Sequence, residues 1–307
     1  MSGDGPPPLV VLAAGMARRY GGCKPLAPIG PNGEAVIDLL VSDAVSAGFG
    51  QVVLVLHPET GPAVRYHVER CWPESVEVAF AEQRLPLGTV HALLAAKGHL
   101  DPDTSFAVAN ADDIYGEEAM GQLVAQLGSG RSEHALIGYR LHATVATDDP
   151  VTRGICEVDE RGYLVALAER RQIFRRHNGE SFRSEDGAEP AELDGGLPTS
   201  VNLWGFRPAM WGVLEASMEA SGLDEEALLA AATSGAAVPK AEVLLPEVVA
   251  AMVVQGSGLP VRVVTTDAKL VGVTHAADLP LVSAELARQV AWGIRPSQPW
   301  KAWAEPR

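Results

Sequence analysis

The loop that follows the first apolar segment carries the residue types that bind polyphosphates. The apolar run Leu9–Ala14 is followed by Gly15 and by a glycine-rich loop that contains the cations Arg18, Arg19 and Lys24. Small residues let a backbone approach a ligand closely, and backbone N–H groups together with Arg and Lys bind phosphate oxygens. The loop lacks the patterns of the ATPase phosphate loop and of the dinucleotide fingerprint. We expect it to bind a nucleoside triphosphate; the alternative is an ordinary surface turn.

Two adjacent carboxylates follow a later apolar segment. Asp112 and Asp113 come after Ala111, at the end of the predicted strand Ser105–Asn110. Carboxylate oxygens suit Mg²⁺, which usually keeps several waters and bridges substrate phosphates. A solvated turn is the alternative, but together with the basic loop the pair predicts a magnesium site with Asp112 as its ligand.

Gln83, Gly88 and Thr89 lie between the third predicted strand and the helix after it. A glutamine amide offers both a donor and an acceptor, which suits a base edge. A glycine lets a flat base lie against the backbone. We assign these three residues to nucleotide binding, with a helix cap at Thr89 as the alternative.

A third group of polar residues lies in the second half of the chain. Glu169 and Arg170 end the predicted strand Tyr163–Ala168. A carboxylate binds sugar hydroxyls and a guanidinium binds a phosphate; a solvated strand end is the alternative. Asn202 alternates with apolar neighbours, so it is expected to face a cleft, whereas Trp204 is expected in the core.

The elements of the first half place the first two groups at one edge of a sheet. Strands and helices alternate, which predicts a mostly parallel sheet with right-handed crossovers. In such sheets ligands bind beyond the carboxyl ends of the strands. The predicted strands are Val10–Ala14, Gln51–Leu56, Val76–Phe80 and Ser105–Asn110, with helices over 37–48 and 89–100.

The pattern changes after about Glu133, where strands follow one another with few helices between them. Phe174–Pro198 is polar and charged and is predicted to be a loop or a short excursion. We interpret the chain as one domain, 1–307, with a nucleotide-binding half (about 9–132) and a sugar-phosphate-binding half (about 133–292). The remaining predicted strands are His134–Leu141, Gly154–Val158, Ser200–Phe206 and Val261–Thr265. The remaining predicted helices are Ala209–Ala220, Glu225–Ala232, Glu242–Val254 and Ala277–Trp292.

The composition restricts the class of protein. The 307 residues include 24 Lys and Arg against 39 Asp and Glu, a net charge of -15. Such acidity argues against a general nucleic-acid surface, which requires a basic face. No segment reaches the ~18 consecutive apolar residues of a membrane span, and residues 1–10 do not resemble a signal peptide. Three scattered cysteines indicate reduced thiols. We expect a cytoplasmic protein without nucleic-acid or membrane partners.

Several segments, taken in order, resemble the sugar-phosphate nucleotidylyltransferases, also called NDP-sugar pyrophosphorylases. They are LAAGMARRYGGCKPL, EQ…GT, ANADDIYG, RGICEVD, LAER, SVNLWGF and KAEVLLP. The resemblance implies an α/β fold: a Rossmann-like three-layer α/β/α sandwich with a mixed, mostly parallel central sheet and a substrate-side extension. It implies a Mg²⁺-dependent reaction of an NTP with a sugar 1-phosphate, or a cyclitol phosphate, to give an NDP-sugar and pyrophosphate. Members of the family are frequently oligomeric, which leaves a homo-oligomer open.

The resemblance also implies a role for each candidate residue. The nucleotide would be lined by Leu12, Ala13, Ala14 and Gly15, with Gln83 and Gly88 at its base. Catalysis would rest on Arg19 at the triphosphate, Lys24 at the reacting phosphates and Asp112 at the metal. The sugar phosphate would meet Gly154, Glu169, Asn202 and Arg170, the last standing where the family commonly has Lys.

Two positions depart from the family pattern. Ala17 replaces a usual glycine of the first loop, and Val271 stands where the family often has a second metal-binding aspartate. Asp267 or Asp278 could take over that role. Two other functions stay open: a metal-dependent glycosyltransferase that uses an NDP-sugar, with Asp112 and Asp113 as its metal turn, and a nucleotide-binding subunit without catalysis, which the Val271 departure allows.

Overall fold

The computed structural model describes residues 5–15, 22–145, 149–176, 181–234, 240–272 and 278–300. The strands are β1 (Leu9–Ala13), β2 (Val52–Leu56), β3 (Val78–Glu82), β4 (Phe106–Asn110), β5 (Asp113–Ile114), β6 (His134–Arg140), β7 (Val151–Val158), β8 (Leu164–Arg175), β9 (Ser181–Ser184), β10 (Glu192–Asp194), β11 (Pro198–Phe206), β12 (Val261–Thr266) and β13 (Val271–Gly272). The helices are α1 (Val36–Ser46), α2 (Gly61–Cys71), α3 (Thr89–Ala96), α4 (Glu117–Leu127), α5 (Met210–Ser221), α6 (Glu225–Thr233), α7 (Leu245–Gln255) and α8 (Leu279–Ala291). None of the helices in these ranges is long and apolar enough to cross a membrane.

One 11-stranded sheet runs through both predicted halves of the chain. Around β1 the strands are parallel, since β1 pairs with β2 and β4, and β2 pairs with β3. Strand β11 joins this part to an antiparallel extension made of β7 to β10, and β6 and β12 branch from it. The predicted α/β class with a substrate-side extension is confirmed.

Helices cover both faces of this sheet because its central strands are apolar on both sides. In β1, Leu9 and Val11 pack with residues of α1, α2 and α4. The alternate residue Val10 packs on the opposite face with residues of α3, α5 and α7. Successive strand residues point to opposite faces, so a strand buried on both sides requires a layer of helices on each. The result is the predicted three-layer sandwich.

Two helices, α2 and α4, are absent from the sequence-based prediction. Helix α2 buries only Gly61, Val64 and Val68, so its apolar stripe is narrow. Helix α4 has Gly121 in its interior, which lowers intrinsic helix propensity. Packing against the sheet stabilises both helices despite these weak local signals.

The extension also differs from its prediction. Strand β8 continues to Arg175, and the segment predicted as a loop contains β9 and β10. Phe182 and Leu193 pack there against Leu141 and Ile173 in a small separate core. The sequence does not predict this core, because each segment contributes only a few apolar residues to it.

Candidate functional site

The structure brings the first loop and the aspartate turn into contact. Lys24 begins a short 3-10 helix, Lys24–Leu26, and Asp112 follows the carboxyl end of β4. The Lys24 ammonium nitrogen donates to Oδ2 of Asp112 at 2.5 Å. The Lys24 side chain is 14% exposed and that of Asp112 39%. The ion pair is therefore partly shielded from water, while the carboxylate stays accessible from outside.

Tyr115 fixes the position of the aspartate turn. Its hydroxyl accepts from the N–H of Asn110 at 3.0 Å and donates to the carbonyl of Val201 at 2.9 Å. The hydroxyl of Tyr139 donates to the carbonyl of Tyr115 at 2.6 Å. These bonds join the end of β4 to β11. The aspartate turn that follows β4 therefore has little freedom to move.

Asp113 provides a second carboxylate beside Asp112. Burial, together with the negative charge of Asp112, raises the pKa of Asp113 to about 7, against the opposing charges of Arg153 and Lys24. Two neighbouring carboxylates with hard oxygen donors suit a divalent cation such as Mg²⁺, whose charge would relieve their repulsion. Among the described residues no cluster of three or more His, Cys, Asp and Glu could hold a metal ion. Substrate phosphates and waters would have to complete the coordination.

The segment that departs from the family pattern lies directly beside this pair. Strand β13 pairs with β5, which places Gly272 opposite Asp113 and Val271 opposite Ile114. A Cβ atom on Gly272 would lie 2.6 Å from Oδ1 of Asp113, so any larger residue here would displace that carboxylate. Val271 is buried in an apolar cluster with Ile114. Its side chain therefore packs in the core and is not directed at the carboxylates.

Neither of the two aspartates considered as substitutes joins the pair. Asp267 accepts from Nε of Arg140 at 2.6 Å and is 80% exposed. Asp278 occupies the N-cap position of α8. Asp113 is consequently the described carboxylate that stands next to Asp112.

A cavity of about 320 Å³ opens beside Asp113. It is lined by the carboxyl end of β4, the beginning of β7, interior residues of β8 and β11, and the beginning of α7. Its polar wall includes Asn110, Asp113, Arg153, Glu169, Asn202 and Glu247. Its apolar wall includes Leu167, Val201, Leu244, Pro246, Ala250 and Leu270. Three residues predicted to contact the sugar phosphate, Gly154, Glu169 and Asn202, lie together on this wall.

A β-bulge in β11 positions Asn202 on the cavity wall. The pairing of β11 with β6 shifts register between Ser200 and Trp204. Asn202 lies in this bulge with a φ of 62°, a left-handed conformation that asparagine tolerates better than most residues. Its side-chain oxygen accepts from Nε1 of Trp204 at 3.2 Å, and Trp204 is buried in the core as expected. The bulge re-aims this polar side chain out of the strand.

The structure gives Arg170 hydrogen-bond partners within the extension. Its guanidinium donates to both carboxylate oxygens of Asp186, at 2.9 and 3.1 Å, and to the carbonyls of Ala188 and Pro190. These bonds hold the pKa of Asp186 well below its usual range. Arg170 is 5% exposed and does not line the cavity. It stabilises the extension with four of its five N–H donors, and contact with a sugar phosphate stays a prediction.

Arg153 is the cation that does line the cavity, and the sequence analysis did not select it. It lies directly opposite Arg170 in the pairing of β7 with β8. The signal was present in the segment RGICEVD, where Arg153 precedes Gly154. Sequence alone does not show which of the two arginines has its charge neutralised by the protein.

The loop expected at the nucleobase is partly filled by the chain itself. The amide nitrogen of Gln83 donates to the carbonyl of Gly88 at 2.9 Å. Gly88 has a φ of 99°, and a Cβ atom on it would lie 2.4 Å from the carbonyl oxygen of Val243. The hydroxyl of Thr89 accepts from the N–H of Leu245 at 2.7 Å. Gly88 therefore allows close packing of the Val243 backbone at the Cβ side, and its contact with a base stays a prediction.

The nucleotide residues at the end of β1 are only partly described. Ala13 and Ala14 are buried, and Gly15, which is exposed, has no atom within 4 Å of a Cβ placed on it. Leu12 is half-buried at the same end of the strand. The predicted phosphate ligand Arg19 lies outside the described residues, as do Arg18 and Ala17.

Comparison with known proteins points to one family. The model of the MobA-like NTP transferase domain matches residues 9–182. The chain is 24% identical over 164 residues to UTP–glucose-1-phosphate uridylyltransferase AglF of Haloferax volcanii, covering 52% of this chain and 64% of that protein. It is 26% identical over 173 residues to the glucose-1-phosphate thymidylyltransferase of Mycolicibacterium smegmatis, covering 55% of this chain and 57% of that protein. The matches thus span about three fifths of these relatives.

A solved structure supports the fold. It comes from Bacillus anthracis, is provisionally named a glucose-1-phosphate thymidylyltransferase, and contains sucrose. It superposes with a TM-score of 0.62 at 12% identity, covering 91% of this chain and 94% of that chain. At this identity the likeness shows a shared fold that extends over nearly the whole chain.

Proposed function

The chain belongs to the MobA-like NTP transferase domain family, and we propose that it is a sugar-1-phosphate nucleotidylyltransferase. It would join the nucleoside monophosphate part of an NTP to a sugar 1-phosphate, or to a cyclitol phosphate, and release pyrophosphate. One observation carries this proposal. The Lys24–Asp112 ion pair, from the predicted triphosphate loop and metal turn, lies next to a cavity whose wall bears Asp113, Glu169 and Asn202.

The reaction requires no nucleophile from the protein. An oxygen of the acceptor phosphate attacks the α-phosphorus of the NTP, forming a new P–O bond. The bond from the α-phosphorus to the β-phosphate oxygen breaks, and its electron pair leaves with pyrophosphate. Catalysis then depends on holding two anions in line and on neutralising the charge that develops. Lys24 is placed to supply part of that positive charge.

Asp112 and Asp113 would hold Mg²⁺ in this proposal. The ion, when bound, would polarise the reacting phosphate and offset the negative charge of both substrates. Lys24 keeps Asp112 in place, and Tyr115 holds the turn from behind. Lys24, Asp112 and Asp113 thus form a fixed corner, the Lys24–Asp112 corner, at the edge of the sheet where the predicted triphosphate loop begins.

The cavity beside this corner suits a polyhydroxylated acceptor. Glu169 and Glu247 offer carboxylate oxygens to hydroxyl groups, and Asn202 offers an amide. Leu167 and Ala250 provide an apolar surface for the carbon face of a ring. A volume of about 320 Å³ falls within the usual range of small-molecule sites, about 300–1,000 Å³.

The test is a matrix of NTPs against sugar 1-phosphates and cyclitol phosphates, with Mg²⁺ and detection of pyrophosphate. We expect pyrophosphate in at least one combination, in equal amount to the NDP-linked product. Chelation of the metal should abolish it. Release of NDP from an NDP-sugar without pyrophosphate would favour the glycosyltransferase. Binding of an NTP by calorimetry without product in any combination would favour the non-catalytic subunit.

A further inference from the structure

The guanidinium of Arg153 is held in place but lacks an anionic partner. Nη1 donates to the carbonyl of Thr152 at 2.8 Å, and Nη2 donates to the carbonyl of Thr144 at 2.6 Å. Its Nε is buried without a hydrogen-bond partner. Within the described ranges, no carboxylate lies at ion-pair distance from Arg153.

This half-buried guanidinium, whose Nε is fully buried, has no anion at ion-pair distance to compensate its charge. Arginine keeps its charge inside proteins, and burying an unpaired charge costs free energy unless an anion compensates it. The charge of Asp113 acts on Arg153 from beyond ion-pair distance, and Lys24 acts on the same carboxylate. A ligand that brings its own anionic oxygens into the cavity would supply the missing partner.

The neighbouring Arg170, in contrast, has its charge neutralised by a carboxylate of the protein. Arg170 is paired directly opposite Arg153 across β7 and β8, yet Asp186 and two carbonyls occupy its donors. Of two adjacent guanidinium groups, one receives its anion from the chain. The other faces a cavity of small-molecule size.

We propose that Arg153 binds the phosphate group of the acceptor and thereby selects phosphate monoesters over uncharged sugars. This inference rests on the proposed function and names the residue that recognises the acceptor's anion. A phosphate accepts charge-assisted hydrogen bonds from the edges of a guanidinium. Asp113 and Gly154 share the same cavity, so a phosphate at Arg153 would lie on the side of the cavity that faces the Lys24–Asp112 corner.

The test compares Arg153→Met and Arg153→Lys with a matched control, Arg161→Met. Arg161 is an exposed arginine that pairs with Asp159 in a turn outside the cavity. The acceptor probe is glucose 1-phosphate, used with the NTP that gives the highest turnover. Losing a hydrogen bond to a charged group, about 1.5–3 kcal/mol, corresponds to a rise of roughly 10- to 150-fold in the KM of the acceptor for Arg153→Met.

The KM of the NTP should stay close to the wild-type value in all three variants. Arg153→Lys should give an intermediate acceptor KM, because lysine keeps the charge but loses the planar fork. Arg161→Met should match the wild type in both constants. An unchanged acceptor KM in Arg153→Met, or an equal rise in both KM values, would overturn the proposal. If Arg153→Met does not fold, the acceptor KM and the NTP KM are compared in Arg153→Lys instead.

Calorimetry separates this inference from the proposed function. Wild-type protein should bind glucose 1-phosphate more tightly than glucose, and Arg153→Met should lose that preference. This result without pyrophosphate formation would contradict the nucleotidylyltransferase but support the anion site. Pyrophosphate formation with a preference that is independent of Arg153 would contradict the anion site alone. Absence of binding and of turnover in the wild type would contradict both.

Discussion

Lys24 and Asp112 are 88 positions apart in the chain, and Nζ of Lys24 lies 2.5 Å from Oδ2 of Asp112. The contact joins the loop after β1 to the turn after β4, and these two strands pair in parallel in the centre of the sheet. Parallel neighbours end at the same edge, which is where α/β proteins bind their ligands. The proposed chemistry follows from this one meeting of a cation and a carboxylate.

Removal of either partner should abolish most turnover without unfolding the chain. For Lys24→Ala and Asp112→Ala we expect a loss of about 2–4 kcal/mol in transition-state stabilisation, roughly 30- to 1000-fold in kcat. The measurement is pyrophosphate release with added Mg²⁺, with circular dichroism to check the fold. Lys97→Ala is the matched control, because Lys97 also pairs with a carboxylate, Glu215, at an exposed site. Near-normal kcat in both site variants would contradict the assignment.

Tyr115→Phe should loosen the aspartate turn. The substitution removes the hydroxyl that serves Asn110 and Val201, leaving a buried N–H and a buried carbonyl without their partner. Such a loss costs about 1–3 kcal/mol in the free energy of unfolding. We also expect kcat to fall more than the KM of the NTP rises, because Tyr115 positions Asp112 and does not touch substrate. Tyr66→Phe, at an exposed tyrosine, is the control and should change neither quantity.

The contacts of Lys24 and Asp112 show what the sequence can predict. Strands β1, β2 and β4 are short apolar runs bounded by small or polar residues, so their order, their burial and the edge at which they end follow from local pattern. Because both the basic loop and the aspartate turn follow strands that end at this edge, their convergence could be predicted from the strands alone. Asn202 could likewise be placed near a cleft from strand periodicity, whereas Glu169 was selected as a carboxylate at the end of a predicted strand.

Arg153 and Arg170 show where the sequence becomes insufficient. Both follow the same local pattern, and the difference between them is made by Asp186, which lies in a segment predicted as a loop. Gly88 is a similar case, since its positive φ and missing Cβ admit the Val243 main chain, a contact that local pattern does not predict. In both cases a distant segment decides the role, and a local pattern carries no information about such a segment.

Arg295 should anchor the chain after α8 to α1. Its two terminal nitrogens donate to the two carboxylate oxygens of Asp43 at 2.6 and 2.7 Å, and both side chains are buried. Arg295→Ala leaves a buried carboxylate unpaired and should lower the free energy of unfolding by about 3–5 kcal/mol. Arg288→Ala, in a half-exposed ion pair with Glu285, should cost about 1 kcal/mol or less. Urea denaturation of both variants measures the difference; equal losses would refute the prediction.

His134 should make the fold sensitive to acid. Burial, reinforced by the charge of Arg207, lowers the pKa of His134 from 6.5 to about 4. Between these values the unfolded chain takes up a proton that the folded chain does not, so stability is complete above pH 6.5 and falls as the pH decreases towards 4. The shift corresponds to roughly 3 kcal/mol.

Denaturation midpoints of wild type and His134→Gln across this pH range measure the effect. The glutamine carbonyl can still accept the N–H of Arg207, which His134 accepts through Nδ1 at 3.1 Å. The wild type should lose about 2–3 kcal/mol more than the variant on acidification. His99→Gln, which removes an exposed histidine, should follow the wild-type curve. Parallel curves for wild type and His134→Gln would rule out this origin of acid sensitivity.

The most direct measurement is a crystal structure of the chain with an α,β-methylene nucleoside triphosphate, Mg²⁺ and glucose 1-phosphate. We predict the α-phosphate at Lys24 and the metal-bound Asp112, with the acceptor in the cavity beside Asp113 and its phosphate on Arg153. A triphosphate bound away from Lys24 and Asp112, with this edge of the sheet empty, would contradict the account.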